Sequence, residues 1–420
     1  MDWNSSIPQD KSLDNTLNVL REGYYFIPHR CRHLQSDIFQ TRLLGQKVFC
    51  MSGKDAAAFF YDKAWFTRKK AAPKRVQKTL FGVNGIQTMD GSAHEHRKLL
   101  FMSLMTEDRL TMLDNLVYAH WQARVGEWKN KKDVILFNEA EQVFCQAACD
   151  WAGVPIREEE LPERARDFSN MIDAFGAVGP RHWQGRIARQ RAEAWIRNVI
   201  NDIRDGRLGT TEDSALYKMA FYRDTDGHFL STQQAAVELI NVLRPITAIA
   251  TFLTFSALAL HDHPESREML KTDDNEAYYR FAQEVRRFYP FGPFLGARVR
   301  SGFIWNNRTF KKGTLVLLDL YGTNHDPRLW ERPNEFQPDR FKDWNGGLFD
   351  LIPQGGGDYY TNHRCPGEWA TVEAMKASLR FLVNDIRYDV PVQDLRYSMS
   401  RMPTLPKSKF IMTNVQPKTE

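Results

Sequence analysis

The sequence predicts a mainly α-helical fold with small β-sheets, built as one continuous domain over residues 1–420. Three observations carry that expectation. Apolar residues recur with helical spacing through most of 107–261 and again over 275–289. Alternating, strand-like stretches are confined to 48–51, 294–319 and 386–414. No Pro/Gly/Ser-rich linker, low-complexity run or internal repeat interrupts the 420 residues.

Taken in order, residues 14–22 read as a short helix, 48–51 as part of a strand and 54–61 as a helix, at the edge of a small β-containing region. Residues 64–90 read as irregular, basic at first and then carrying LFGVNGIQTMDG. A helix follows over 92–104, with His94, Arg97 and Lys98 at neighbouring positions; Arg97 and Lys98 also fit a solvated basic face. Long helices fill 107–128, 138–151 and 158–175, and the segment 176–180 breaks them. Helices resume over 183–205 and 213–221. Residues 224–229 form a turn, and Ser231-Thr232 cap a very long helix running to 261. After the helix at 275–289, turns at Asn306-Asn307 and Lys312-Gly313 join strands.

Composition excludes several classes. The net charge of +5 is spread along the chain, with one local cluster at Arg68-Lys69-Lys70 and Lys74-Arg75. Nucleic acid requires a denser basic stripe, whereas a carboxylate or propionate partner needs only a few cations. The five cysteines, an odd number in a long chain, do not form a disulfide framework. Cys145 and Cys149 stand four apart in a helical pattern, which places them in a core, and no His/Cys neighbours complete a metal set. The N-terminal stretch is polar without a signal-type apolar core, and the apolar run 246–260 is short for a bilayer and studded with Thr and Ser. These features read as a cytoplasmic protein with no membrane insertion.

The chemistry concentrates at 352–375, IPQGGGDYYTNHRCPGEWATVEAM. Cys365 sits where a Gly-rich loop hands over to a helix, whose first N–H groups are expected to hold its sulfur as thiolate. A thiolate presented on a loop whose glycines admit a flat, bulky neighbour is the arrangement of an axial haem ligand. Glu284 and Arg287, three apart on a helix, share a face. Arg340 in FQPDRF adds a second arginine able to close a Glu–Arg–Arg network. Arg244 lies in the middle of the apolar helix between Asn241-Val242-Leu243 and Ile246, with no carboxylate beside it on that helix. A buried unpaired arginine is costly, so something anionic should meet it. Pro245 lacks an N–H and frees the carbonyl near Asn241.

E-x-x-R, then F-x-P-x-R-F, then a Gly-rich loop with one cysteine followed by a helix resembles the cytochrome P-450 superfamily from about residue 40 to the C-terminus. The resemblance implies haem b between a long distal helix and a proximal cysteine loop, with Cys365 as the iron ligand. Two departures narrow it. The superfamily's acid–alcohol pair on the distal helix is replaced by Arg244-Pro245 in NVLRPITAIA. His363 stands two residues before the cysteine, where arginine is usual, with Arg364 adjacent. These departures, and the stretches GGGDYYTNHRCPGEW, FAQEVRRFYPFGPF and TMDGSAHEHRK, resemble the fatty-acid peroxygenase branch, which includes fatty-acid decarboxylases. That branch implies hydrogen peroxide as oxidant, no obligatory redox partner, and hydroxylation of a long-chain fatty acid at its α or β carbon. Arg244 would hold the substrate carboxylate, which would act as general acid/base. The resemblance gives Pro245 and Gln87 catalytic places, with Gln87, rather than histidine, favouring hydroxylation over alkene formation. It assigns Leu80, Phe81, Ile172, Phe175, Phe291 and Gly292 to the acyl channel, and Arg68, His94 and Lys98 to the haem propionates. Three alternatives stay open on sequence: a decarboxylase giving terminal alkenes, a reductase-dependent monooxygenase, and a non-catalytic haem or fatty-acid binder.

Overall fold

The computed structural model describes residues 7–128, 131–272, 274–305 and 308–418. Its main core is helical. The Leu136–Ala152 helix is buried along nearly its whole length and packs against Glu107–Trp128, Leu161–Asp173 and Thr232–Thr247. Cys145 and Cys149 are fully buried in it, as the four-residue spacing predicts. Glu368–Arg380 packs on Glu107–Trp128, where the indole of Trp121 donates to Ser378 Oγ at 2.9 Å.

Capping residues set several helix starts. Ser231 Oγ accepts from the Gln234 N–H at 3.2 Å, as expected from the Ser-Thr pair. Ser214 does the same for Tyr217 and Asp274 for Glu276. The helix expected to resume at 183 starts at Pro180, because proline is pre-set for the first helical turn and Gly179, at φ +71°, makes the bend before it. Residues 64–90 are less irregular than expected. Gln77–Phe81 form a π-helical turn that ends at Gly82, φ +82°. A Cβ there would lie 2.4 Å from Val237, so glycine is required by contact as well as by backbone.

The long apolar helix is two segments, Thr232–Thr247 and Ile249–Asp262, meeting at Ala248. Pro245 cannot donate to the Asn241 carbonyl, and the pattern changes just beyond it, with Thr251 N–H bonding Ala248 O at 3.1 Å. Among the described residues, Thr232–Asp262 is the one helix long and apolar enough to cross a bilayer; 94% of its most apolar window is buried inside the protein, so it is a core helix.

The β-structure forms small sheets, as expected, and one of them joins strands that are far apart in the sequence. Ile38–Leu43, Gln46–Met51, Leu315–Asp319, Phe294–Val299 and Phe66–Thr67 form a single five-stranded sheet in that order. Val48 to Met51 pair in parallel with Leu315 to Leu318. The join is driven by burial, since 48–51 and 316–319 are all buried. Val134–Ile135, Ile411–Pro417 and Ile386–Asp389 make a second sheet. The Asn306-Asn307 turn lies outside the described residues, and the strands flanking it, Phe303–Trp305 and Arg308–Phe310, pair as a hairpin.

The Glu–Arg–Arg network is present. Glu284 and Arg287 are fully buried on Asn275–Phe288, with bonds of 2.7 and 2.8 Å between their forks. Arg340 adds a bond of 3.2 Å to Glu284. Arg287 also donates to the carbonyls of Asn324 and Pro333 at 3.0 and 2.9 Å, while Asn324 Oδ1 accepts from the Ile352 N–H at 2.8 Å. The network therefore pins the start of the cysteine loop. Glu284→Ala leaves the buried Arg287 and the half-buried Arg340 without their carboxylate, and is expected to cost about 3–5 kcal/mol. Urea unfolding of the holoprotein checks this; a loss below about 1 kcal/mol, typical of exposed pairs, would contradict it.

Candidate active site

The cysteine loop is held from three sides. Cys365 N–H donates to the Gln354 carbonyl at 3.1 Å, and Gln354 Nε2 lies 3.8 Å from the sulfur and 3.1 Å from Thr371 Oγ1. Gly355 and Gly357 adopt φ +93° and +87°, which close the loop tightly; a Cβ on Gly355 would meet the Tyr61 hydroxyl at 2.8 Å. Glu368 anchors the helix start. It accepts from Arg364 Nε at 2.7 Å, from the Tyr359 hydroxyl at 3.0 Å and from Arg286. Burial works against that carboxylate's charge, but Arg286 and Arg364 hold its pKa below the usual value.

The helix beyond Cys365 begins only at Glu368, so the sulfur is not seated on the first turn as expected. Burial pushes the thiol pKa up, against the pull of Lys98 and the Gly367 N–H. The protein scaffold alone does not favour the thiolate; a bound metal cation would supply that stabilisation.

A second cluster faces this loop. His94 and His363 stack with ring centroids 3.8 Å apart. Asp90 accepts from the N–H groups of Arg68 and Lys69 at 3.0 and 2.9 Å, from Thr67 Oγ1, and approaches His363 Nε2 at 3.8 Å. Burial drives His363 down to about 4, against Asp90, and burial likewise lowers His94, so both rings are neutral near pH 7. Arg68 donates to the Gly296 carbonyl at 3.1 Å and lies 4.2 Å over the Phe60 ring. Lys98 donates to the Arg364 carbonyl, and burial lowers its pKa to about 8, opposed by Cys365. The solvated face considered for Arg97 and Lys98 is overturned, because the helix turns both inward: they are 4% and 2% exposed.

Arg244 is 7% exposed. Its one hydrogen bond runs from Nη2 to Asn241 Oδ1 at 3.4 Å, and its Nε has no partner among the described residues. Burial lowers its pKa to about 9, with Arg189 pulling the same way, so it remains charged at pH 7. The helix does carry one buried acid, Glu238, nearly two turns earlier, but as expected no carboxylate neighbours Arg244 among the described residues. That acid is bound by Arg97 at 2.6 Å, and Asn241 Nδ2 stands between it and Arg244, donating to Glu238 Oε2 at 3.1 Å. Gln87 Oε1 lies 3.4 Å from the same Nδ2. Gln87, Asn241 and Arg244 thus form one polar group at the π-helical wall, whose Phe81 carbonyl accepts from Asn241 at 3.0 Å.

The remaining lining candidates divide. Leu80 and Phe81 end the π-helical turn, which packs on Leu161–Asp173, carrying Ile172, and on Pro180–Arg204. Phe175 follows just beyond, half-buried. Phe291 meets the long helix farther along, stacked on Phe252 at 4.4 Å, and Gly292 sits against Leu320, so neither shares a contact with the Arg244 group. The sequence reading passed over Glu238, Arg189, Asp90, Gln354 and the Glu368–Arg286–Arg364 cluster. Glu238 had a signal, a lone acid three residues before Asn241 in an apolar helix; the others depend on tertiary contacts.

These residues fit haem. Arg68, Lys98 and Arg244 are all buried, and among the described residues none forms an ion pair with a carboxylate. Such cations call for anions from a bound group, and two propionates and one substrate carboxylate match them in number.

Comparisons with known proteins agree. The cytochrome P450 family profile matches residues 280–402, within which Cys365 is the sole cysteine. Putative cytochrome P450 120 of Synechocystis sp. is 25% identical, covering 82% of each chain. The structure of cytochrome P450EX alpha with myristic acid superposes at a TM-score of 0.95 with 43% identity, over 99% of this chain and 100% of that one. A variant of cytochrome P450 OleT with arachidonic acid superposes at 0.96 with 38% identity, over 99% and 100%. The chain belongs to the cytochrome P450 superfamily, in its fatty-acid peroxygenase branch, and takes haem b on a cysteine thiolate.

Proposed function

We propose that the protein uses hydrogen peroxide to hydroxylate long-chain fatty acids at the α or β carbon, with Arg244 holding the substrate carboxylate. The observation that carries this is the buried Arg244 guanidinium, charged at pH 7 and without an anionic partner among the described residues. Solved relatives with myristic and arachidonic acid support the substrate class.

Cys365 would bind the haem iron, and Arg68, His94 and Lys98 would hold the propionates. Haem supplies the redox chemistry that spends the O–O bond of peroxide on a substrate C–H bond. Arg244 binds the fatty-acid carboxylate through charged N–H donors and fixes the acid's head end. No side-chain acid takes the proton-transfer role at the Arg244 group, because Glu238 is bound to Arg97 and screened by Asn241. The carboxylate held by Arg244 fills that role, accepting a proton from the peroxide and returning it to the departing oxygen as water forms. Pinning the head end leaves the first two methylenes nearest the reacting centre, which sets α or β regiochemistry. Gln87, held towards Asn241, lacks an acidic proton, so hydroxylation is favoured over alkene formation. Peroxide carries the electrons, so no redox partner is required.

Purified holoprotein, a long-chain fatty acid and hydrogen peroxide, without reductase or nicotinamide, are expected to give α- and β-hydroxy acids by mass spectrometry. Turnover appearing only with added electron-transfer proteins would overturn the proposal. Arg244→Ala should lower kcat/KM for fatty acids roughly a hundredfold or more while haem stays bound, as expected for removing a buried charged partner. Cys365→Ala should lose the thiolate-type absorption of the reduced carbonyl complex, and an unchanged spectrum would exclude Cys365 as ligand. The pKa of Arg244 adds a pH test. Its folded value of about 9 lies below that of free arginine, so the charge is present below pH 9 and lost above it. The kcat/KM for fatty acid should therefore fall as pH rises through about 9. In Arg244→Lys the position of that fall should move.

A further inference from the structure

Large apolar side chains gather on the surface beside the segments that carry Leu80, Phe81, Ile172 and Phe175. Val178, Trp183 and Ile187 are 58%, 58% and 51% exposed at the start of Pro180–Arg204. Val83 is 48% exposed just after the π-helical turn that this helix packs against. Trp183 and Ile187 stand four apart and share a helix face. A second group, Leu13, Leu17 and Leu20, is 92%, 64% and 41% exposed. The 399–402 segment connects the two groups: the Met399 carbonyl accepts from the Tyr24 N–H at 2.9 Å, and the Met402 carbonyl lies 2.8 Å from where a Cβ on Gly176 would sit.

The charge of this face is uneven. Lys74, Arg75 and Lys78 are exposed along the π-helical side, and Arg75 is stapled to the Ala177 carbonyl. Arg186 lies 5.4 Å over the Trp183 ring. Lys74, Lys78 and Arg186 form no ion pair among the described residues. The acids nearby already have partners: Asp173 binds Arg181 and Arg401, Asp167 binds Arg191, and Glu193 binds Arg189. An exposed indole with aliphatic neighbours, an arginine over its ring and unpaired lysines on the adjoining segment is the chemistry of a surface that meets lipid headgroups.

We propose that this face docks on an anionic lipid surface, from which free fatty acid passes inward past Leu80, Phe81 and Ile172 to Arg244. The inference rests on the fatty-acid reading above and names where that substrate is collected. A lipid surface fits better than an acidic acyl-carrier protein. Arg244 needs a free carboxylate, which a carrier-bound thioester lacks, and long-chain acids partition into lipid.

The test is sedimentation of the holoenzyme with vesicles of phosphatidylcholine alone or of mixed phosphatidylcholine and phosphatidylglycerol, at low salt. The wild type is expected to sediment with the mixed vesicles and to stay in solution with the neutral ones. Lys74→Gln and Lys78→Gln should each weaken partition about fivefold. Trp183→Ser with Ile187→Ser should weaken it further. All variants should keep the haem spectrum and wild-type turnover of a shorter fatty acid supplied as free monomer. Because sedimentation is read without turnover, a wrong substrate assignment leaves this result standing, and failed docking leaves the chemistry standing. The proposal is overturned if the wild type ignores mixed vesicles, if it binds neutral vesicles equally, if the variants sediment like the wild type, or if it binds an acidic acyl-carrier protein in place of vesicles.

Discussion

Burying a positive charge without a counter-ion is the constraint around which this structure is arranged. Arg68, Lys98 and Arg244 are held inside by backbone carbonyls, an aromatic face and one asparagine, with no carboxylate in ion-pair contact. Desolvation penalties of several kcal/mol per ion oppose such placement. The lowered pKa values of all three record that opposition. On the proposed assignment, a bound prosthetic group and a substrate would bring the missing anions and relieve that strain. Stability and ligand recognition are therefore the same electrostatic fact seen from two sides.

Two neighbouring arginines show how the scaffold resists it. Arg286 and Arg287 are both buried on Asn275–Phe288 and serve different carboxylates. Arg287 joins Glu284 and Arg340 and fixes the approach to the cysteine loop. Arg286 joins Glu368 and Gln354 on the far side of that loop. A single turn of helix thus grips both ends of the segment carrying Cys365, which limits how far the sulfur can move.

Much of this was legible in the sequence, and what was not has a physical reason. Helical periodicity located the long helices, since their apolar faces are set by local spacing. Cys365, Arg244 and the Glu284–Arg287–Arg340 network could be read because each pairs an unusual residue with a distinctive neighbourhood. The small sheets were legible as strand-like stretches, but their partners were not, because the pairing of 48–51 with 315–318 is non-local and leaves no local mark. The π-helical turn at 77–81 was missed because it depends on Gly82 fitting under Val237. Burial raises the pKa of the Cys365 thiol against Lys98 and the Gly367 N–H, so the thiolate depends on the bound iron as well as on the donors that the helix start suggested. Arg97 and Lys98 were undecided because charge alone does not reveal which way a helix turns its basic face.

Asn241 stands between the acid Glu238 and the cation Arg244, touching both. An amide conveys no net charge, so it acts as an electrical insulator inside a crowded ionic pocket. With aspartate in its place, Arg244 would find its counter-ion within its own helix and the pocket would be self-satisfied. The exchange of one NH2 for one oxygen thus separates a protein that seeks an anion from one that already has its own.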